Sequence, residues 1–151
     1  MIEDGGLPVS TAVPVVSKVS EHTLQWLALG LTPGLGATRV RRLVEHFGNV
    51  AAVFRASLTE LEATGMHAVS AQSLATGKSL EQAQEEWLRV SGAGAQVLTL
   101  DDDAYPSHLK QIYDPPTVLY VRGKVEVLSQ FGIAMVGTRY PTPYALRFWH
   151  G

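Results

Sequence analysis

The chain has no cysteine among its 151 residues, which excludes disulfides, thiolate metal sites and thiol nucleophiles. It also has no apolar run of about 20 residues, the length that a membrane-spanning helix requires. Residues 1–20 lack the basic start and the long apolar stretch of a secretory signal. These absences predict a cytoplasmic protein in a reducing compartment.

A strong net charge is missing as well. Lysine and arginine total 12 and aspartate and glutamate total 14, which gives a net charge of −2. Any nucleic-acid binding must therefore come from local patches of positive charge. Hydrophobic residues make up 46% and charged residues 17% of the chain, which is typical of a folded globular protein.

Differences in composition and in the spacing of apolar residues divide the sequence into three parts. Residues 1–20 contain glycine and proline without helical periodicity, which predicts a mobile tail. Residues 21–92 carry apolar residues at helical spacing and predict a helical domain. Residues 93–151 are rich in short β-type runs and predict the start of an α/β domain, so the fold class is α plus α/β.

The helical part begins with two amphipathic repeats. Leucines recur at helical spacing before Pro33, and a second apolar repeat ends at Gly48, which predicts a left-handed helix end. Two further helix starts are predicted where Ser57–Glu60 and Ser79–Gln82 have the form of capping boxes. The last of these helices is expected to end near Gly92.

Three short runs predict strands in the second part, with a helical stretch opened by Pro106 between the first two. The predicted strands are Gln96–Leu100, Thr117–Val121 and Ile133–Val136.

The segment Thr32–Gly36 resembles the turn of a helix-hairpin-helix motif. Gly34 and Gly36 allow close approach of the backbone, and the following helix presents free N–H groups and arginines to an anion. Arg39, Arg41 and Arg42 on that helix predict a surface that binds a nucleic-acid backbone without reading sequence. The alternative is a plain helix-helix turn beside a solvated basic face.

A second, poorer hairpin is predicted at Thr64–His67. Paired hairpins of this kind form one compact unit. The acids Glu60 and Glu62 argue against phosphate binding by this second copy.

A second chemical signal is the apolar run that ends in Gly137, Thr138 and Arg139. Ligands of nucleotide-binding sheets lie beyond the carboxyl ends of the strands. Glycine there permits close approach, threonine offers a hydroxyl, and arginine supplies a two-pronged phosphate contact. The alternative is a buried strand followed by an exposed arginine.

Other candidate sites are weaker. The consecutive acids Asp101–Asp103 have no histidine or further acid at ligand spacing, so they predict a solvated loop rather than a metal site. The five histidines are dispersed, and the three tryptophans, Trp26, Trp87 and Trp149, predict core anchors. No nucleophile, base and acid stand at catalytic spacing. We therefore expect neither a metal nor a cofactor.

The order of these segments resembles the DNA-processing protein A (DprA/Smf) family over residues 22–144. In the helical part the shared residues are Trp26–Leu29, Pro33–Gly36 and Phe47-Gly48. In the second part they are Asp102, Tyr105, Pro106 and Leu109; then Asp114, Pro115, Pro116, Leu119, Tyr120 and Gly123; then Val136, Gly137, Thr138, Arg139, Thr142 and Tyr144.

This resemblance implies a helix-hairpin-helix or SAM-like domain over residues 21–92 and a Rossmann-like domain from residue 93. It implies a protein that is not an enzyme, binds single-stranded DNA in natural transformation, forms a dimer and helps to load the RecA recombinase. The family's DNA pocket includes its Gly-Ser/Thr-Arg segment, which corresponds to Gly137, Thr138 and Arg139.

The sequence departs from the family pattern at Ala145, where the family has glycine, and it stops at Gly151. This predicts a C-terminally truncated member whose dimer and RecA surfaces largely lie in the missing part. Two alternatives stay open. The first is a nucleotide-handling enzyme, because Rossmann-like phosphohydrolases also end a strand in Gly-Ser/Thr-Arg. The second is an inactive fragment in which only the helical domain folds.

Overall fold

The computed structural model describes residues 19–132. The order of elements there is α1 (Glu21–Leu31), α2 (Ala37–Phe47), α3 (Val50–Arg55), α4 (Leu58–Ala63), α5 (Ala68–Ala75), α6 (Lys78–Gly92), β1 (Gln96–Thr99), α7 (Ser107–Lys110), β2 (Val118–Val121) and a final 3₁₀ turn (Val125–Ser129). Most of the predicted tail, the predicted strand Ile133–Val136 and Trp149 lie outside the described residues.

The first helices begin and end where local chemistry predicts. The Ser20 side chain caps α1 by accepting from the amide of Thr23 at 3.0 Å. Helix α2 ends at Gly48, whose φ of +87° confirms the predicted positive-φ helix end. Helix α4 begins with the predicted capping box, in which Ser57 and Glu60 exchange hydrogen bonds.

Helix α3 was not predicted from the sequence. It has six residues, too few for a clear apolar period. Its start is nonetheless marked by Asn49, whose side chain accepts from the amide of Ala52 at 2.8 Å.

The second predicted capping box, Ser79–Gln82, is wrong. Helix α6 begins at Lys78, and its N-cap is Gly77, two residues before the predicted cap, with a φ of +77°. The left-handed conformation of this glycine turns the chain directly from α5 into α6. Ser79 therefore lies within the first turn, fully buried, where its hydroxyl approaches the carbonyl of Ser73 at 3.4 Å. The predicted end of α6 at Gly92 is confirmed.

Helix α1 lies between two clusters of apolar side chains. One face of α1 carries Trp26 and Leu29 into the core formed with α2, α3, α4 and α5. The other face carries Leu27 and Ala28, which pack with Ala83 of α6. Trp26 is buried and Trp87 is partly buried in these clusters, so both serve as the predicted core anchors.

The two strands pair antiparallel, with Gln96 opposite Val121 and Thr99 opposite Val118. A Rossmann-like sheet would be parallel, but the chain returns over the four-residue helix α7 without a crossover helix. The third predicted strand lies beyond the described residues, so the Rossmann-like assignment stays a prediction. The pair packs on α1 closely enough that a Cβ on Gly30 would lie 3.7 Å from the Val118 side chain.

Candidate nucleic-acid interface

The turn between α1 and α2 is held in place by hydrogen bonds. The buried Thr32 hydroxyl donates to the carbonyl of Ala28 at 2.6 Å. The buried Ser70 at the start of α5 donates to the carbonyl of Pro33 at 2.6 Å. The turn between α1 and α2 is therefore in direct contact with the start of α5.

The two glycines of this turn have different structural roles. Gly34 has a φ of +80°, and a Cβ there would lie 3.3 Å from Ser70 Oγ, so the fold itself requires glycine. Gly36 has a φ of −78° and is exposed, with no atom within 4 Å of the position of a Cβ. Its backbone is therefore open to an approaching ligand.

Helix α2 presents two polar faces. On one, the Thr38 hydroxyl donates to Oδ1 of Asp114 at 2.7 Å, and Arg41 donates to the carbonyl of Tyr113 at 3.5 Å. The carboxylate of Asp114 thus lies at the first turn of α2, where an anion was predicted to bind. The other face carries Arg39 and Arg42, three residues apart.

Arg39 and Arg42 line a groove of about 480 Å³ between α2 and the second hairpin turn. We call it the α2 groove. Its lining residues are Leu35, Arg39, Arg42, Leu43, His46, Ala63, Thr64, Gly65 and Met66. None of them is acidic, and neither arginine forms a salt bridge to a carboxylate within residues 19–132. Arg39 donates to the carbonyl of Gly34 at 3.0 Å, which directs one side of its guanidinium towards the first turn.

The second turn, between α4 and α5, contributes Ala63, Thr64, Gly65 and Met66 to this groove. Helix α4 ends at Ala63 and α5 starts at Ala68, and Gly65 between them has a φ of +80°. The acids predicted to repel a phosphate here, Glu60 and Glu62, do not line the groove. The Glu60 carboxylate instead accepts from the Ser57 amide at 2.8 Å, and this hydrogen bond lowers the pKa of Glu60.

A larger groove of about 600 Å³ lies on the Arg41 side of the molecule. Arg41 and His22 line it together with the acids Glu45 and Asp101, so it has no excess of positive charge. The indole nitrogen of Trp26, which also lines this groove, is buried without a hydrogen-bond partner among the described residues. A groove without excess positive charge offers a phosphate chain no net attraction.

The acidic run after β1 has structural roles. Asp101 accepts from the Thr99 hydroxyl at 2.7 Å and pairs with His22 Nε2 at 2.8 Å, while Asp102 accepts from the Thr99 amide at 2.6 Å. Within residues 19–132 no group of three or more histidine, aspartate or glutamate side chains is arranged to hold a metal.

In that same part of the chain, no helix has the length and apolar character to cross a bilayer.

The predicted site residues are thus only partly brought together. Gly34, Gly36, Arg39 and Arg42 lie on one hairpin, and the two arginines share the α2 groove. Gly137, Thr138 and Arg139 lie outside the described residues. Sequence reasoning missed His46 and Met66. His46 could have been found, since it follows Arg42 by four residues on the same helix.

Comparison with known proteins gives one family and several relatives. The family model described as DNA recombination-mediator protein A matches residues 96–151. Protein Smf of Synechocystis sp. is 33% identical over 135 residues, which cover 82% of this chain and 32% of that protein. The DNA processing protein DprA of Bacillus subtilis is 44% identical over 52 residues, which cover 34% of this chain and 18% of that protein. Protein Smf of Borreliella burgdorferi is 42% identical over 45 residues, 30% of this chain and 14% of that protein.

The chain therefore spans at most about a third of the length of these curated relatives. No solved structure matches it.

Proposed function

We propose, since this chain belongs to the DprA/Smf family of DNA recombination mediators, that it binds single-stranded DNA through the sugar-phosphate backbone. The observation that carries the proposal is the α2 groove, in which Arg39 and Arg42 stand together without an acidic lining residue. The biological setting would be the recombination of DNA taken up in natural transformation.

The chemistry of the groove favours a phosphate chain. A guanidinium has five donors in a planar fork that matches phosphate oxygens, and Arg39 uses one nitrogen on the Gly34 carbonyl. Arg42 forms no hydrogen bond or salt bridge with its side chain within residues 19–132, so its donors are available to a ligand. Contacts of this type position a nucleic acid and carry no sequence information.

A second contact region is proposed at Gly137, Thr138 and Arg139, on the strength of the family resemblance. Binding there would add to the groove, because electrostatic contacts from several positions sum along one strand. Self-association and help in loading the RecA recombinase are also proposed on the strength of the family resemblance. The α2 groove has no part in either proposal.

The test measures binding of a fluorescent oligothymidylate by anisotropy across a range of salt concentrations. The double variant Arg39→Ala, Arg42→Ala should bind more weakly. The slope of log affinity against log salt should become shallower by about 0.7 for each phosphate that the variant no longer neutralises. Arg139→Ala, measured separately, should lower affinity and slope in the same way.

The matched control is Arg55→Ala, Arg122→Ala, which removes the same charge from two positions outside the groove. If both double variants change affinity equally, net charge alone accounts for binding and the groove has no special role. Unchanged affinity and slope for Arg39→Ala, Arg42→Ala would overturn the proposed site.

A further inference from the structure

Tyr113 is an aromatic side chain that the fold leaves in solvent. It lies in the loop between α7 and β2 and is 95% exposed. A single exposed apolar residue is ordinary on a protein surface. What sets Tyr113 apart is how firmly the backbone at this residue and directly after it is held.

Two contacts attach this loop to α2, and a third attaches it to the β1–α7 segment. Asp114 accepts from the Thr38 hydroxyl at 2.7 Å, and the Tyr113 carbonyl accepts from Arg41 at 3.5 Å. Further along the loop, the Pro116 carbonyl accepts from the buried Tyr105 hydroxyl at 2.7 Å. Since Pro115 is also buried, the ring of Tyr113 projects from an anchored backbone beside the basic helix.

The geometry points to Tyr113 as a base-stacking residue for single-stranded DNA whose phosphates are bound by the arginines of α2. This inference rests on the proposed function and names a base contact that the α2 groove lacks. An aromatic ring offers its face to any base, so stacking is compatible with binding that ignores sequence.

The arginines of α2 place a bound strand within reach of Tyr113. Arg41 contacts the loop at the Tyr113 carbonyl, and the next residue, Arg42, lines the α2 groove. Consecutive residues of a helix are about 100° apart around its axis, so the Arg41 and Arg42 side chains leave neighbouring parts of the helix surface and one strand of a few nucleotides reaches both. The Asp114 carboxylate, next to Tyr113 in the chain, accepts from the Thr38 hydroxyl but keeps its negative charge, so the phosphates are held in the α2 groove and not beside the ring.

Stacking on Tyr113 also distinguishes single strands from duplexes. The faces of the bases in a duplex are covered by their neighbours, whereas an unpaired base can turn onto a ring. The inference therefore predicts a preference for single-stranded DNA that phosphate contacts alone do not create.

The experiment compares two oligonucleotides of equal length, oligothymidylate and an abasic strand with the same number of phosphates. Tyr113→Ala should weaken binding to oligothymidylate by about 5- to 100-fold, the range found for loss of one stacked aromatic. It should leave binding to the abasic strand unchanged. Tyr113→Phe should bind both strands like the original protein.

The matched control is Phe131→Ala, which removes another fully exposed aromatic ring, 107% exposed, and should change neither affinity. The Arg39→Ala, Arg42→Ala variant should weaken binding to both strands. If it does so while Tyr113→Ala binds oligothymidylate normally, the stacking inference fails and the proposed function stands. If the unaltered chain binds neither strand, both fail.

Discussion

The hydroxyl of Tyr105 donates a 2.7 Å hydrogen bond to the carbonyl of Pro116 from a side chain that is only 3% exposed. This bond joins two of the segments on which the family resemblance rests. Asp102, from the first segment, accepts from the Thr99 amide, and Asp114, from the second, accepts from Thr38 of α2. These signature residues therefore brace the strand pair and attach the Tyr113 loop to the helical part.

Replacing Tyr105 with phenylalanine should destabilise the fold. The change keeps the aromatic ring and its contact with the ammonium group of Lys110. It removes the hydroxyl that donates to the Pro116 carbonyl. Loss of one partner of a buried hydrogen bond costs about 1–3 kcal/mol. Urea unfolding followed by circular dichroism should report a free energy of unfolding lower by that amount. The same change at Tyr113, whose ring is in solvent, should leave the midpoint where it was.

Tyr105 also predicts a loss of stability in alkali. Burial raises the pKa of Tyr105 in the folded chain above its ordinary value. Folding thus favours the neutral phenol. Its contribution to the free energy of unfolding is fully present below the ordinary tyrosine pKa and is lost as pH rises through the raised pKa. In Tyr105→Phe the alkaline fall in stability should be smaller than in the original chain. Equal alkaline profiles for the two proteins would contradict the assignment.

The capping box of α4 predicts a change at the acid end of the pH range. The hydrogen bond from the Ser57 backbone lowers the pKa of Glu60, so the carboxylate stabilises the fold above the ordinary glutamate pKa. That contribution is lost as pH falls through the lowered value. Ser57→Ala should cost about 1 kcal/mol at neutral pH. Glu60→Ala, which removes the carboxylate of the box, should flatten the acid part of the stability profile.

The two glycines of the first turn should respond differently to substitution. Gly34→Ala places a Cβ at a positive φ and 3.3 Å from Ser70 Oγ, which should cost about 1–2 kcal/mol. Gly36→Ser meets open space and adds a favourable N-cap to α2, so stability should be kept or increased. Thermal denaturation of the two variants checks the contrast. If Gly36→Ser nonetheless weakens DNA binding, the backbone at residue 36 lies close to the bound strand.

Local patterns were enough to predict α1, α2, the turn between them and the box at Ser57, because each depends on residues a few positions apart. The prediction failed at Ser79, where a left-handed Gly77 moved the start of the helix. It also missed the α2 groove as a unit. Arg42 comes from α2 and Met66 from the α4–α5 turn, and these segments are brought together by contacts between residues far apart in the sequence, such as the hydrogen bond from Ser70 to the Pro33 carbonyl.

The folded core extends past the last helix of the helical part, because the strand pair packs on α1. The sequence predicts a boundary at residue 92, but Leu27 and Ala28 of α1 pack in a cluster that includes Val97 and Val118 of the strands. A core that ended at Gly92 would leave this face of α1 in water, at a cost of about 25 cal/mol for each Å² of apolar surface exposed. We therefore expect an unspecific protease to leave residues 21–121 together in one protected fragment, identified by mass spectrometry. A protected fragment that ends close to residue 92 would mean that the strand pair adds little stability to α1 and that the helical domain folds alone.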